Sequence, residues 1–195
     1  MPLWMFTSTS FQQPLTYKDH TLQYDVTLNN STIGYLNCTK RLYDGSPFVI
    51  YIIDSKVNVN VIKSYNVHYT LYTKYLNEKI YYSKLINVVN ADTQKFNQVS
   101  ISNGYYHFHQ KDKIESTTHQ MINYSVGKLY HHEPTEATHL FTENFLAFCP
   151  IVKNESNYSI TFPDGNTNTY TYVDGICNEA KIQQKWFTLY FKKKT

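Results

Sequence analysis

The chain has 195 residues, 42% apolar and 17% charged, with a formal net charge of +3. That length fits one domain or two small ones, and buries roughly 70% of the unfolded surface without a disulfide or metal. The composition excludes a disordered tail, and six Gly with six Pro exclude collagen-like and low-complexity chains.

The first stretch, Met1 to Phe6, is apolar and runs into Thr7 to Gln13, which is rich in Ser, Thr and Gln. It lacks the basic start of a secretory signal but carries half of its apolar region and a cleavage-like segment. Residues 1–19 are therefore read as an N-terminal arm or a remnant signal segment, and residues 20–192 as a single β domain.

Period-two alternation dominates the chain from residue 21 onward. Thr21 to Leu28 predicts a strand, and Asn29-Asn-Ser31 turns it into a second over Thr32 to Lys40. Asp44-Gly-Ser-Pro47 marks a turn before strands over Phe48 to Asn60 and Tyr65 to Tyr75. Phe48 to Ile53 is the longest apolar run, far short of the roughly 18 residues of a membrane helix. Further strands are predicted over Ile80 to Val89 and Lys95 to Ser102, with Asn103-Gly104 turning the latter into Tyr105 to Lys111.

Residues 112–150 break the rhythm and read as an irregular capping segment. It holds one or two short helical turns between Ser125 and His131 and an apolar stretch from Thr138 to Cys149. Alternation resumes over Tyr158 to Phe162, Thr167 to Val173, Ile176 to Gln183 and Trp186 to Phe191. The fold class is all-β: a strongly curved antiparallel meander of about ten strands, forming a barrel or half-barrel.

Few residues point to chemistry. Arg41 is the only Arg, and the basic run Lys192 to Lys194 is terminal, so no nucleic-acid partner is expected. Cys38, Cys149 and Cys177 match no metal motif, read as small core residues, and leave any disulfide pairing open. His107 and His109 share a strand face and are the weak metal candidates, with His131, His132 or Glu133 as a third ligand. Glu133 and Glu143 are candidates for a carboxylate pair. Asp164 to Asn168 lacks the remaining ligands of a calcium loop and reads as turn chemistry. No nucleophile motif is present, no catalytic residue is assigned and no cofactor is expected.

Tyrosine is the dominant signal, with 19 Tyr beside 11 Phe. A phenol pairs an apolar body with a polar tip and suits a cavity wall, although cross-strand packing accounts for it equally. The ligand- or partner-binding candidates are Tyr69, Tyr105, Tyr130, Phe145, Phe148, Tyr170 and Tyr172.

Three blocks of sequence carry a family resemblance. Tyr24-Asp-Val begins the first and Ile33-Gly34 ends it; Leu129 to Pro134 followed by Phe141-Thr-Glu143 is the second. Phe162-Pro-Asp-Gly-Asn166, Tyr170-Thr-Tyr172 and Asp174-Gly-Ile-Cys177 form the third. In these the chain resembles a family of small secreted β-rich domains of unknown function from Bacteroidota. The resemblance implies a periplasmic, outer-membrane-associated or secreted envelope protein, and brings no reaction or ligand with it.

Together these readings predict a non-enzymatic envelope protein holding an apolar or amphipathic ligand, or an envelope protein partner, on a concave aromatic face. Proximity to a membrane surface without a transmembrane span goes with that reading. Residues 112–150 either close over the site or complete the core as a static plug. The alternatives are an accessory subunit of a cell-surface assembly and a metal-dependent hydrolase using His107, His109 and Glu133.

Overall fold

The structure is a computed structural model describing residues 16–60, 64–110, 113–116 and 120–195. Most of the expected N-terminal arm, and residues 112 and 117–119 of the capping segment, lie outside the described residues. Fourteen strands form one sheet. The first eight are β1 (Tyr17–Leu28), β2 (Ser31–Tyr43), β3 (Phe48–Asn60), β4 (Ser64–Leu76), β5 (Lys79–Val89), β6 (Asp92–Ser102), β7 (Tyr105–Gln110) and β8 (Lys113–Ser116). A four-residue helix, α1 (Val126–Leu129), comes next. The rest are β9 (His139–Thr142), β10 (Ala147–Lys153), β11 (Tyr158–Thr161), β12 (Thr167–Val173), β13 (Ile176–Gln183) and β14 (Thr188–Lys193).

Every pairing between named strands is antiparallel, and the order β8 to β1, then β14 to β9, makes two meanders joined where β1 meets β14. The seam pairs Tyr24 with Lys193 and Thr27 with Tyr190. So long a sheet has to curl, and this one curves into an unclosed barrel. Hairpin turns enforce the register: Asn29-Asn30, Asn103-Gly104 and Asp174-Gly175 all sit at positive φ, which matches the strands' twist. Irregular register in β1–β2, β4–β5, β5–β6 and β12–β13 adds local bending.

β2 and β3 approach each other most closely at Gly34. A Cβ on Gly34 would lie 2.1 Å from the Lys56 carbonyl oxygen, so only glycine allows that approach. Alternate residues of each long strand are buried, as in β3, where Ile53, Ser55, Val57 and Val59 point into the curve. Tyr24 is fully buried and donates its phenol hydrogen to the Cys177 carbonyl at 2.7 Å, fastening β1 to β13. All three cysteines are buried and free.

The stretch after residue 119 runs across the inside of the curve. The Ile122 carbonyl accepts from the Ile80 amide, and the Tyr124 carbonyl from the Phe141 amide, at 2.8 and 2.9 Å. Ser125 caps α1 by accepting from the Gly127 amide, and the helix packs on β3, β4 and β9. The Tyr130 carbonyl then accepts from Cys177 N, and Glu133 N donates to the Gly175 carbonyl. Residues 120–133 thus form an inner strap spanning from β5 to β13. One helical turn forms where one or two were expected, and the apolar stretch beyond it pairs as β9 and β10.

Candidate functional site

The strap divides the concave side into two hollows. The first is a cavity of about 350 Å³ at the end of the barrel where β3 runs into β4. Its walls are apolar on three sides: Leu36, Ile53, Val57 and Val67 from the first meander, Leu189 and Phe191 from β14, and Val126 from α1. These positions face inward because period-two strands put every second residue on the curve's inner face. Tyr69, Tyr130 and Tyr170 form its aromatic floor, with the Tyr130 and Tyr170 rings 6.3 Å apart and nearly perpendicular. Burial raises all three phenols well above their ordinary range, so they are neutral hydrogen-bonding groups at any physiological pH.

Phe145 stands at the mouth. Its ring stacks on Phe162 at 5.9 Å, and the Lys95 ammonium lies 4.6 Å from the Phe145 ring centroid. Asp164, Asn166, Asn168 and Gln184 surround the opening with polar groups. An apolar pocket with a few placed polar groups at one end of a barrel is the usual form of a small-molecule site.

The second hollow, of about 600 Å³, lies at the opposite end, beside the β4–β5 turn. It is polar: Glu78 pairs with the Lys128 ammonium, and Lys128 also donates to the Asn123 carbonyl. His132 Nε2 lies 2.7 Å from the Tyr51 hydroxyl and 3.2 Å from Lys40 Nζ. Both neighbours donate, so Nε2 accepts and the ring is neutral. Burial first, then the Lys40 and Lys128 charges, lower His132 to about 4. His131 is also held near 4 by burial, and its Nε2–H donates to the Cys38 carbonyl.

Between the hollows sits a buried acid. Glu143 Oε1 accepts from Ser125 at 2.6 Å and Thr73 at 3.2 Å, while Oε2 has no hydrogen-bond partner among the described residues. Tyr75 donates to Ser125 Oγ at 2.8 Å, extending the chain of hydroxyls. Burial pushes the Glu143 carboxyl up to about 7, against the pull of the Ser125 and Thr73 hydrogen bonds.

Of the residues singled out in the sequence, Tyr69, Tyr130, Phe145 and Tyr170 meet at the first cavity. The others stand apart from it. Tyr172 donates to the Leu129 carbonyl at 2.7 Å, Phe148 lines the polar cleft and packs on Phe141, and Tyr105 is exposed at the start of β7. His107 and His109 lie on β7 opposite Ser100 and Gln98. No cluster of three or more His, Cys, Asp or Glu able to hold a metal occurs among the described residues. Glu133 accepts from the Tyr158 hydroxyl at 2.7 Å, so it and Glu143 occupy separate surroundings.

Two groupings escaped the sequence: Glu143 with Ser125 and Thr73, and His132 with Tyr51 and Lys40. Ser125 before a short helix was a visible cap signal. The rest depends on strand register between residues 70 and 92 positions apart.

No curated protein matches the chain. A solved β-barrel-like protein, a domain of unknown function DUF1849 from Brucella abortus, has a similar fold at 12% identity and a TM-score of 0.58. The likeness covers 91% of this chain and 96% of that one, and extends to the fold alone. The sequence model of another family, a domain of unknown function termed DUF6134, matches residues 24–194, which spans the sheet from β1 to β14. The chain belongs to the DUF6134 family.

Proposed function

We propose that this protein is a non-enzymatic binding protein that takes one apolar or amphipathic molecule into the cavity floored by Tyr69, Tyr130 and Tyr170. The carrying observation is the cavity itself: apolar walls, aromatic floor, polar rim and Phe145 at the opening. At about 350 Å³ it is at the small end of ligand pockets, which suits a single chain or a small ring system. Residues 120–133 are the static part of the cap, since their backbone is hydrogen-bonded to β5, β9 and β13. Phe145, half-buried in the turn after β9, is the part that moves aside for entry.

An extracytoplasmic, envelope location belongs to this proposal, as does contact with a membrane surface or an envelope partner. Trp186 supports the contact: it is 79% exposed in the β13–β14 turn, beside Gln184 and Phe187 of the cavity rim. Recovery of the native protein from the cytosol would oppose the location without touching the binding claim.

The binding test uses N-phenylnaphthylamine, an uncharged probe whose fluorescence rises in apolar surroundings. Saturable binding at one site is expected, weakened at least tenfold by Val67→Phe, which fills the cavity from β4. No saturable signal, or binding unchanged in a folded Val67→Phe variant, overturns the reading.

A further inference from the structure

One row of the sheet behind the cavity differs from its neighbours. Ser55, Tyr69, Asn87 and Lys95 lie side by side across β3, β4, β5 and β6, paired strand to strand. The layer beneath is Ile53, Leu71 and Leu85, ending on β6 in Asn97, and the layer toward the mouth begins with Val57 and Val67. Polar side chains set among these apolar ones need hydrogen-bond partners.

Two members of the row have them. Ser55 donates to the Tyr35 carbonyl at 3.0 Å, and Lys95 donates to the Asn144 carbonyl at 3.3 Å. Asn87 has none. Its side chain lines the cavity, its Oδ1 is shut off from water, and its amide makes no hydrogen bond among the described residues. The hydroxyls of Tyr69 and Tyr130, facing the same space, also lack a partner among the described residues. A buried amide oxygen left unpaired is expensive; Asn97 Oδ1 is unpaired too, but only Asn87 lines the cavity, where an incoming group can meet it.

Charge narrows the class of that group. Among the described residues no Lys or Arg lines the cavity: Lys95 lies outside the lining, held by the Asn144 carbonyl and the Phe145 ring, and the one lining carboxylate, Asp164, belongs to the mouth. Glu143 sits close enough to the floor to raise the Tyr69 phenol further. An anionic head at the floor has no cation to meet and faces an acid. A hydroxyl suits all three groups: it accepts from a phenol, and it donates to the Asn87 oxygen once that amide turns toward the cavity.

Resting on the apolar-ligand reading above, we infer that the occupant is an uncharged amphiphile of the long-chain alcohol class, bound hydroxyl first. Its head meets Asn87, Tyr69 and Tyr130. Its chain lies along Val57, Val67 and Phe145 toward the opening.

Displacement of N-phenylnaphthylamine by decanol, decane and decanoate tests this, in the native chain and in Asn87→Leu with Tyr69→Phe. Native protein is expected to prefer decanol to decane and to decanoate by about tenfold, the scale of one or two buried hydrogen bonds. The double variant is expected to bind decane at least as well and to lose the preference for the alcohol. Decane binding serves as the control for folding, and each substitution removes an unpaired polar group rather than creating one. Equal binding of decane and decanol by native protein, or tightest binding of decanoate, overturns the head assignment while leaving the apolar site intact. Failure of all three to displace the probe overturns the parent reading and this one together.

Discussion

The Ser125 hydroxyl hydrogen-bonds Glu143 Oε1 at 2.6 Å, joining the inner strap to the end of β9 at a point where both side chains are closed to solvent. Burial holds that carboxyl at about 7, above its ordinary 4.5. Between those two values the folded chain keeps a proton that the unfolded chain has released. Stability from this group is therefore full below pH 4.5 and falls as pH rises toward 7, by on the order of 3 kcal/mol. Glu143→Gln removes the dependence. Denaturant unfolding of both proteins from about pH 4.5 to about 8 is expected to shift in the variant's favour as pH rises; a constant difference contradicts the assignment.

His131 and His132 act with the opposite sign. Each is held near 4, below its ordinary 6.5, by burial as a neutral ring. The unfolded chain binds protons in that interval and the folded chain does not, so stability is lost as pH falls from 6.5 to 4. In native protein the Glu143 effect partly offsets this loss. The Glu143→Gln variant is expected to show a steeper acid-side loss than the native chain, and His131→Gln a shallower one. Parallel unfolding curves for all three proteins would rule out both assignments.

Phe141, Phe145 and Phe148 are near in sequence but differ in surroundings. Phe141 is wholly buried between Phe108 and Phe148, with ring centroids 5.3 Å from each. Its replacement by Ala is expected to cost ~3–5 kcal/mol. Phe145→Ala, at the rim, is expected to cost under about 1.5 kcal/mol and to speed release of a bound probe several-fold. Phe148→Ala, outside the cavity, is expected to leave binding unchanged. Stopped-flow release and thermal melting separate the three.

Gly34→Ala is expected to destabilise severely although Ala adds a single methyl group. That methyl would meet backbone, at 2.1 Å from Lys56 O and 2.8 Å from Val57 Cα, where no side chain can turn aside. A melting temperature within a few degrees of native protein would show that β2 and β3 can separate there.

The strands from β1 to β7 and from β11 to β14 were legible because each shows period-two alternation and a turn residue suited to positive φ. Asn29-Asn30 and Asn103-Gly104 are the clearest cases. β9 and β10 were hidden because Leu140 and Phe141 in one and the Ala147-Phe-Cys run in the other read as apolar stretches without alternation, with Pro150 in the second. The tyrosine floor was legible as composition, and its three members, Tyr69, Tyr130 and Tyr170, were all among the candidate positions. Tyr105 and Tyr172 read like Tyr69 and Tyr170 along the chain. What separates them is curvature and the β1–β14 seam, which brings β4 and β12 across one hollow. Glu143 resembled a loop acid because nothing local shows that Thr73, 70 residues earlier, would cover it.

Whether the tyrosine-floored cavity is where a ligand binds can be read by amide chemical-shift mapping in NMR, with decanol added to the native chain. Saturation at one ligand per chain is expected, with shifts concentrated at Ser55, Val57, Val67, Tyr69, Asn87 and Phe145. Shifts centred on the Glu78–Lys128 cleft, or spread over the outer face of the sheet with no saturation, would contradict it.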